Sequence, residues 1–182
     1  MKKFTIMGIV LFIALAMCSA YSFAESFDGF RGLKWGSAPA KGMVNVWDTS
    51  GVYTTYRRPS DALRITTRFN PVDLNAIEYE YHKNRLYRVC LYVPPSRVDW
   101  STISLALSDR YGEPTESELI HDGVLVNERT YNQDPYTTAF LQFEISSHKV
   151  FCILDSKRMQ NIIHSEKERE IQKKIGKKKT GF

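Results

Sequence analysis

The sequence predicts an α+β domain in which an antiparallel sheet carries two or three short helices on one face. Three observations lead there. Several stretches alternate apolar and polar residues with the period of two that a half-buried strand requires. Two others repeat apolar residues at steps of three and four and are bounded by residues able to cap a helix. Tyrosine and phenylalanine number ten each, an abundance suited to the faces of amphipathic strands. With 182 residues, 43% of them hydrophobic, the chain can enclose one sizeable core.

Residues 1–24 read as a signal peptide. Lys2 and Lys3 form a basic start, Ile6 to Met17 an apolar run too short to span a bilayer, and Ser22-Phe23-Ala24 places small residues three and one before a cut after Ala24. Leu15-Ala16-Met17-Cys18 resembles a lipoprotein cleavage box, but the residue before such a cysteine is normally small and Met17 is not. The reading is therefore export to the periplasm or beyond, without a lipid on Cys18.

The mature domain is expected over 25–160. Phe27 to Trp35 reads as a first strand broken by Gly29 and Gly32. Ser37 can cap a helix over 38–48 whose face would hold Ala40, Met43, Val44 and Trp47. Strands are expected over 52–58 and 63–69, the second from strict alternation of Leu63, Ile65, Thr67 and Phe69 with Arg64, Thr66 and Arg68. Ile77, Tyr79 and Tyr81 alternate with Glu78, Glu80 and His82, and a turn at 83–85 makes a hairpin with the strand from Leu86 to Val93. In that strand Tyr87, Val89, Leu91 and Val93 are expected on one face, Arg88 and Cys90 on the other. Pro94-Pro95 ends it, because proline cannot donate to a ladder.

A helix over 100–111 follows, capped by Asp99, with Trp100, Ile103, Leu107 and Tyr111 as its buried stripe. Gly112 and Pro114 stop it. Trp100, Leu107, Val89 and Leu91 should be core. Beyond a turn at 121–123, strands are expected over 124–131, 137–145 and 150–155, the last two as a hairpin, and then a short helix over 158–164. Residues 161–182 should form a charged, basic tail, partly helical or disordered.

Charge is unevenly placed. Residues 157–182 hold nine Lys and Arg against three Glu, or +6, and residues 25–156 hold 14 against 17 Asp and Glu, or −3. Lys173, Lys174, Lys177, Lys178 and Lys179 offer contacts to an anionic surface, with Ile171 and Ile175 as a thin apolar stripe. An anionic membrane surface or an unidentified envelope protein is the expected partner, and export argues against nucleic acid. Cleavage leaves Cys90 and Cys152, an even pair in an oxidising compartment. They would bridge if the late hairpin lay in register beside the central strand; otherwise they are two buried thiols.

FRGLKWG, then YEYHKNRLYRVCLYV, then DWSTISLALSDRYGEPT, with FLQFEISSHKVFCILDSKRM near the end, resemble segments of small uncharacterised periplasmic proteins and lipoproteins. The pattern is similar to the broad group containing the small outer-membrane assembly lipoproteins and the β-lactamase-inhibitor-like fold. That resemblance implies a small α+β fold with helices on one face of an antiparallel sheet and a binding or scaffolding role, and it assigns no catalytic residue.

Chemical motifs are absent. There is no G-x-S-x-G, H-E-x-x-H, C-x-x-C or phosphate-binding glycine loop. His82, His121, His148 and His164 are scattered in sequence, and Glu78 with Glu80 reads as a solvated face opposite Arg64 and Arg68. No catalytic, metal or cofactor residue is assigned. The reading is a non-catalytic binding or envelope-associated module. The alternatives are a periplasmic hydrolase-like enzyme with a distributed site and a membrane-surface assembly factor held by its tail.

Overall fold

The computed structural model describes residues 28–95 and 97–179, with the side chains of 97–98 and 176–179 outside that description; residues 1–24, read as a signal peptide, and Cys18 among them fall outside it. Within these residues the strands are β1 (Gly29–Phe30), β2 (Leu33–Lys34), β3 (Val44–Thr49), β4 (Tyr53–Arg57), β5 (Arg64–Thr66), β6 (Pro71–Asp73), β7 (Ala76–His82), β8 (Arg85–Val93), β9 (Thr115–His121), β10 (Val124–Tyr131), β11 (Thr137–Glu144) and β12 (Lys149–Ser156). The helices are α1 (Arg97–Tyr111) and α2 (Lys157–Lys179). Eight strands form one antiparallel sheet in the order β3-β4-β7-β8-β12-β11-β10-β9, while β1-β2 and β5-β6 are separate hairpins. The architecture is α+β, dominated by its sheet.

Local chemistry explains most of the turns. Lys83-Asn84 and Asp122-Gly123 have positive φ at both positions, the backbone of the two-residue turns whose twist matches that of the flanking strands. The core lies between one face of the sheet and a cover made of α1 and the two small hairpins. Tyr79, Tyr81, Val89, Leu91, Leu141 and Cys152 are fully buried there with Ile103 and Leu107 of α1, and Ile65, Val72 and Leu33 join them from the hairpins. Trp100 packs at the margin, half-buried.

The central strand carries a bulge that alternation alone does not reveal. Glu80 pairs with Arg88 but Tyr81 pairs with Leu86, so Tyr87 is an extra residue. Leu86, not Tyr87, therefore joins Val89, Leu91 and Val93 in the core, and Tyr87 turns to the opposite face beside Arg88. The backbone of Leu86 is then free to bind the incoming chain: Gly36 N–H donates to its carbonyl at 2.8 Å and its own N–H donates to the Ser37 carbonyl at 2.9 Å.

Other expectations are corrected. Residues 38–48 are not a helix. Gly42 adopts φ +87° in a turn closed by Met43 N–H on the Ala40 carbonyl, and β-branched Val44, Val46 and Thr49 continue as edge strand β3. The cover on the core face is thus one helix and two hairpins. α1 begins at Arg97, so Asp99 lies within its first turn, where it favours the helix dipole without being the cap. Gly112 does terminate it, at φ +84° with its N–H on the Ser108 carbonyl. The long alternation of 63–69 yields only the three residues of β5. Strand β9 is exposed along its whole length, so it has no buried face to impose a readable pattern. α2 is one helix from Lys157 to Lys179, so the short helix expected over 158–164 continues into the tail expected to be partly helical or disordered. It packs Met159 and Ile163 against Tyr87, on the face opposite α1.

Cys90 and Cys152 lie on neighbouring strands, as bridging would need, but one residue out of step. Cys152 pairs with Leu91 and Cys90 with Ile153, which places the thiols on opposite faces of the sheet. Both are free and buried. A chain unfolded without reductant should accept alkylation at both Cys90 and Cys152. A β8–β12 cross-linked peptide in a non-reduced digest would contradict this register.

Leu107 has no solvent exposure, whereas Leu105 on the same helix is 52% exposed. Leu107→Ala should cost about 2–5 kcal/mol through lost burial and a cavity. Leu105→Ala should change a urea melt by no more than about 0.5 kcal/mol.

Candidate functional site

The face of the sheet opposite α1 follows from the registers. Thr55, Glu80, Arg88 and Asp155 lie in one cross-strand row, and Trp47 on edge strand β3 extends it. Beside them Glu78, Cys90, Ile153 and Phe140 form a second row, and Tyr92, Phe151, Gln142 and Glu128 a third. The polar groups hold one another. Tyr87 O–H donates to Glu80 at 2.6 Å and Tyr92 O–H to Glu78 at 2.8 Å, while Arg57 reaches Glu78 at 2.5 Å. Arg88 forks onto Asp155 at 2.6 and 2.9 Å, and Gln160 of α2 donates to the same carboxylate. A shallow groove of about 630 Å³ runs along this face between Trp47 and Tyr87.

This network keeps its donors protonated. Burial, then the adjacent Glu80 carboxylate, pushes the Tyr87 phenol well above its ordinary range, and burial followed by the hydrogen bond to Glu78 does the same for Tyr92. Cys90 donates its S–H to Glu80 at 3.4 Å, and burial plus that carboxylate drive its pKa up. Such a thiol is the reverse of an activated nucleophile. Burial raises Cys152 to about 12.

At one end of this face α2 is latched by Glu166. Its carboxylate receives Lys83 at 2.7 Å and Arg85 at 2.6 Å and contacts the His82 ring at 3.1 Å. Hydrogen bonds from Lys83, Arg85 and His82 lower its pKa to about 2.

A second concavity, of about 940 Å³, lies on the other face between α1 and the β9–β11 wing. Trp100, projected from the first turns of α1, and Phe143 of β11 form its aromatic floor, meeting edge to face at 6.1 Å, and His148 stands edge-on to Phe143 at 6.1 Å. Arg129 lies 5.5 Å over the Trp100 ring and is oriented by Glu116 at 2.9 Å and the Ser104 hydroxyl at 2.8 Å. Glu118 and Asn127 also line the cleft, and neither side chain makes a hydrogen bond or ion pair with another described residue. The cleft thus combines apolar rings with polar groups that have no internal partner, whereas most polar groups of the opposite face are bonded to one another, the buried Tyr53 hydroxyl and His82 Nδ1 excepted.

Residues picked from the sequence are placed as follows. Glu78 and Glu80 share a face, but Arg57 is the partner of Glu78; Arg64 pairs with Asp73 and Arg68 with Asp109. His121 contacts its exposed neighbour Asp122, and His164 pairs with Glu168 one turn on. Among the described residues no three His, Cys, Asp or Glu are grouped to hold a metal ion, and no helix is long and apolar enough to cross a membrane. Lys173 and Lys174 are exposed on α2. The cleft was not legible because its members come from α1, β9, β10, β11 and the turn before β12. The edge apolar pair of Trp100 with Phe143 exists only after those elements pack. Comparison with protein-family models, curated proteins and solved structures finds no match for this chain.

The latch predicts a pH dependence. A carboxyl held below its ordinary value of 4.5 adds stability that is complete above that value and fades as pH falls through about 2. Glu166→Gln should lower stability at neutral pH and flatten its loss between about pH 4.5 and 2. Parallel wild-type and variant melts across that window would remove the latch.

Proposed function

We propose that this chain is a non-catalytic binding module of the cell envelope that takes its ligand in the cleft between α1 and the β9–β11 wing. The cleft's half-buried aromatic floor beside Glu118 and Asn127, whose side chains have no partner among the described residues, carries this reading. Concave sites of this kind use apolar rings for contact area and a few convergent polar groups for orientation. Glu116 is engaged by Arg129, so Glu118 leaves the rim with a carboxylate to offer. The fitting ligand is a planar or apolar group bearing an amine, either free or as a side chain of an envelope protein. Export, read from residues 1–24, supplies the compartment.

Tryptamine and indole-3-acetate, which share a ring and differ in charge, test this by amide NMR. Tryptamine should shift the signals of Trp100, Asn127, Phe143 and His148. Indole-3-acetate should do so more weakly, and Glu118→Gln should reduce tryptamine affinity about two- to fivefold, as for a partly exposed ion pair. Shifts gathered instead around Trp47 and Tyr87, or none at the cleft with either probe, would overturn the proposal.

A further inference from the structure

The two halves of α2 are built differently. From Lys157 to Glu166 it is docked: Met159 and Ile163 are 3% and 5% exposed, and Glu166 is latched to the β7–β8 turn. Every residue from Lys167 to Ile175 is exposed, and the helix continues to Lys179, so an arm of about 20 Å extends beyond the latch. All three carboxylates of the helix precede this arm's end half, and each faces a cation or histidine. Glu166 binds Lys83 and Arg85, Glu168 contacts His164 at 3.2 Å, and Glu170 lies 3.8 Å from Lys83. After Glu170 the chain holds Lys173, Lys174, Lys177, Lys178 and Lys179 and no acidic residue. Ile171 and Ile175, one turn apart, are 55% and 45% exposed.

We infer that this distal half of α2 is an arm that lies on an anionic lipid bilayer, with Ile171 and Ile175 entering the headgroup boundary and the lysines meeting lipid phosphates. An interfacial helix needs a narrow apolar stripe and basic flanks whose long stems reach back to the polar layer, and this segment has both. A second copy fits worse. Two isoleucines are far short of the three to four heptads a helix pair needs, and the facing lysines would repel. The protein's own acidic sheet face is also a poor partner, since Glu78, Glu80 and Asp155 are already bonded to Arg57, Tyr92, Tyr87 and Arg88. The net −3 of residues 25–156 favours holding the body away from an anionic surface while the arm touches it.

Cosedimentation of the full chain with vesicles of phosphatidylcholine alone, or with about a third phosphatidylglycerol, tests the arm, with salt screening read at about 0.5 M NaCl. Because every variant shares the leader, differences between variants report α2. Binding should require phosphatidylglycerol and weaken with salt. Replacing the five lysines 173, 174, 177, 178 and 179 by glutamine should reduce it about a thousandfold or more, at about fivefold per lysine. Ile171→Ser with Ile175→Ser, which keeps every charge, should reduce it about tenfold. Both variants should keep the wild-type melt, since the arm is outside the core. Equal binding by wild type and the glutamine variant overturns the proposal, as does unchanged binding by the serine variant. A wild-type dimer that the serine variant dissolves would assign the stripe to a second copy instead.

Discussion

The pairing of β8 with β12 is the contact on which the rest of the molecule depends. Strands β3, β4, β7 and β8 form one half of the sheet, with the β5-β6 hairpin inserted between β4 and β7, and β9 to β12 form the other. Only the ladder from Val93↔Val150 to Arg88↔Asp155 joins them. This is also the contact with the largest loop to close, so it carries an entropic cost that local hairpins do not. Burial on one face and charge on the other offset it. Val89, Leu91 and Leu154 are excluded from water beneath α1, and Arg88 forks onto a nearly buried Asp155 above. Burial alone would lower the Arg88 guanidinium, but its hydrogen bonds to Asp155 more than compensate and raise it. A one-residue slip would exchange the two faces and leave that carboxylate without its partner.

The same register sets up the contrast between the two faces. Opposite α1, the carboxylates of Glu78, Glu80 and Asp155 fall into adjacent rows with Tyr87, Tyr92, Arg57 and Arg88 and bond to them, which leaves the Tyr53 hydroxyl and His82 Nδ1 as that face's buried groups without a partner among the described residues. On the α1 side the helix covers the centre of the sheet but stops short of the β9–β10 edge. Trp100 and Phe143 meet where that cover ends; Arg129 of β10 still reaches Ser104 of α1, but Glu118 and Asn127 beyond it have no described side chain to bond. The bulge at Tyr87 serves the other end of the molecule. It turns an aromatic ring toward α2, gives Met159 and Ile163 a place to pack, and leaves Leu86 to hold the segment at Gly36 and Ser37. Removing the extra residue would undo both attachments.

Several elements were legible from residues alone because one short-range rule governs each. Val124 to Tyr131 and the β11–β12 hairpin are rich in β-branched and aromatic residues bounded by turn residues, and the β7–β8 hairpin turns at Lys83-Asn84. The stripe of Ile103, Leu107 and Tyr111 ends at a glycine that must take positive φ. Where two rules competed, the local reading chose wrongly. Residues 38–48 carry apolar residues at helical spacing, but Gly42 and the β-branched run after it favour an edge strand once β4 is available to pair. Exposed β9 has no pattern, because an edge strand with neither face buried need not alternate.

What the sequence determined by itself is the α+β class, most strands, the stop of α1 and the segregation of positive charge into α2, since composition, period and turn chemistry act over a few residues. Only the tertiary structure decided which face each side chain takes after the bulge at Tyr87, that Cys90 and Cys152 point away from each other, and that Trp100, Phe143 and Glu118 share a cleft. Those depend on register between strands distant in sequence, where a shift of a single residue inverts every side chain and no local signal records it.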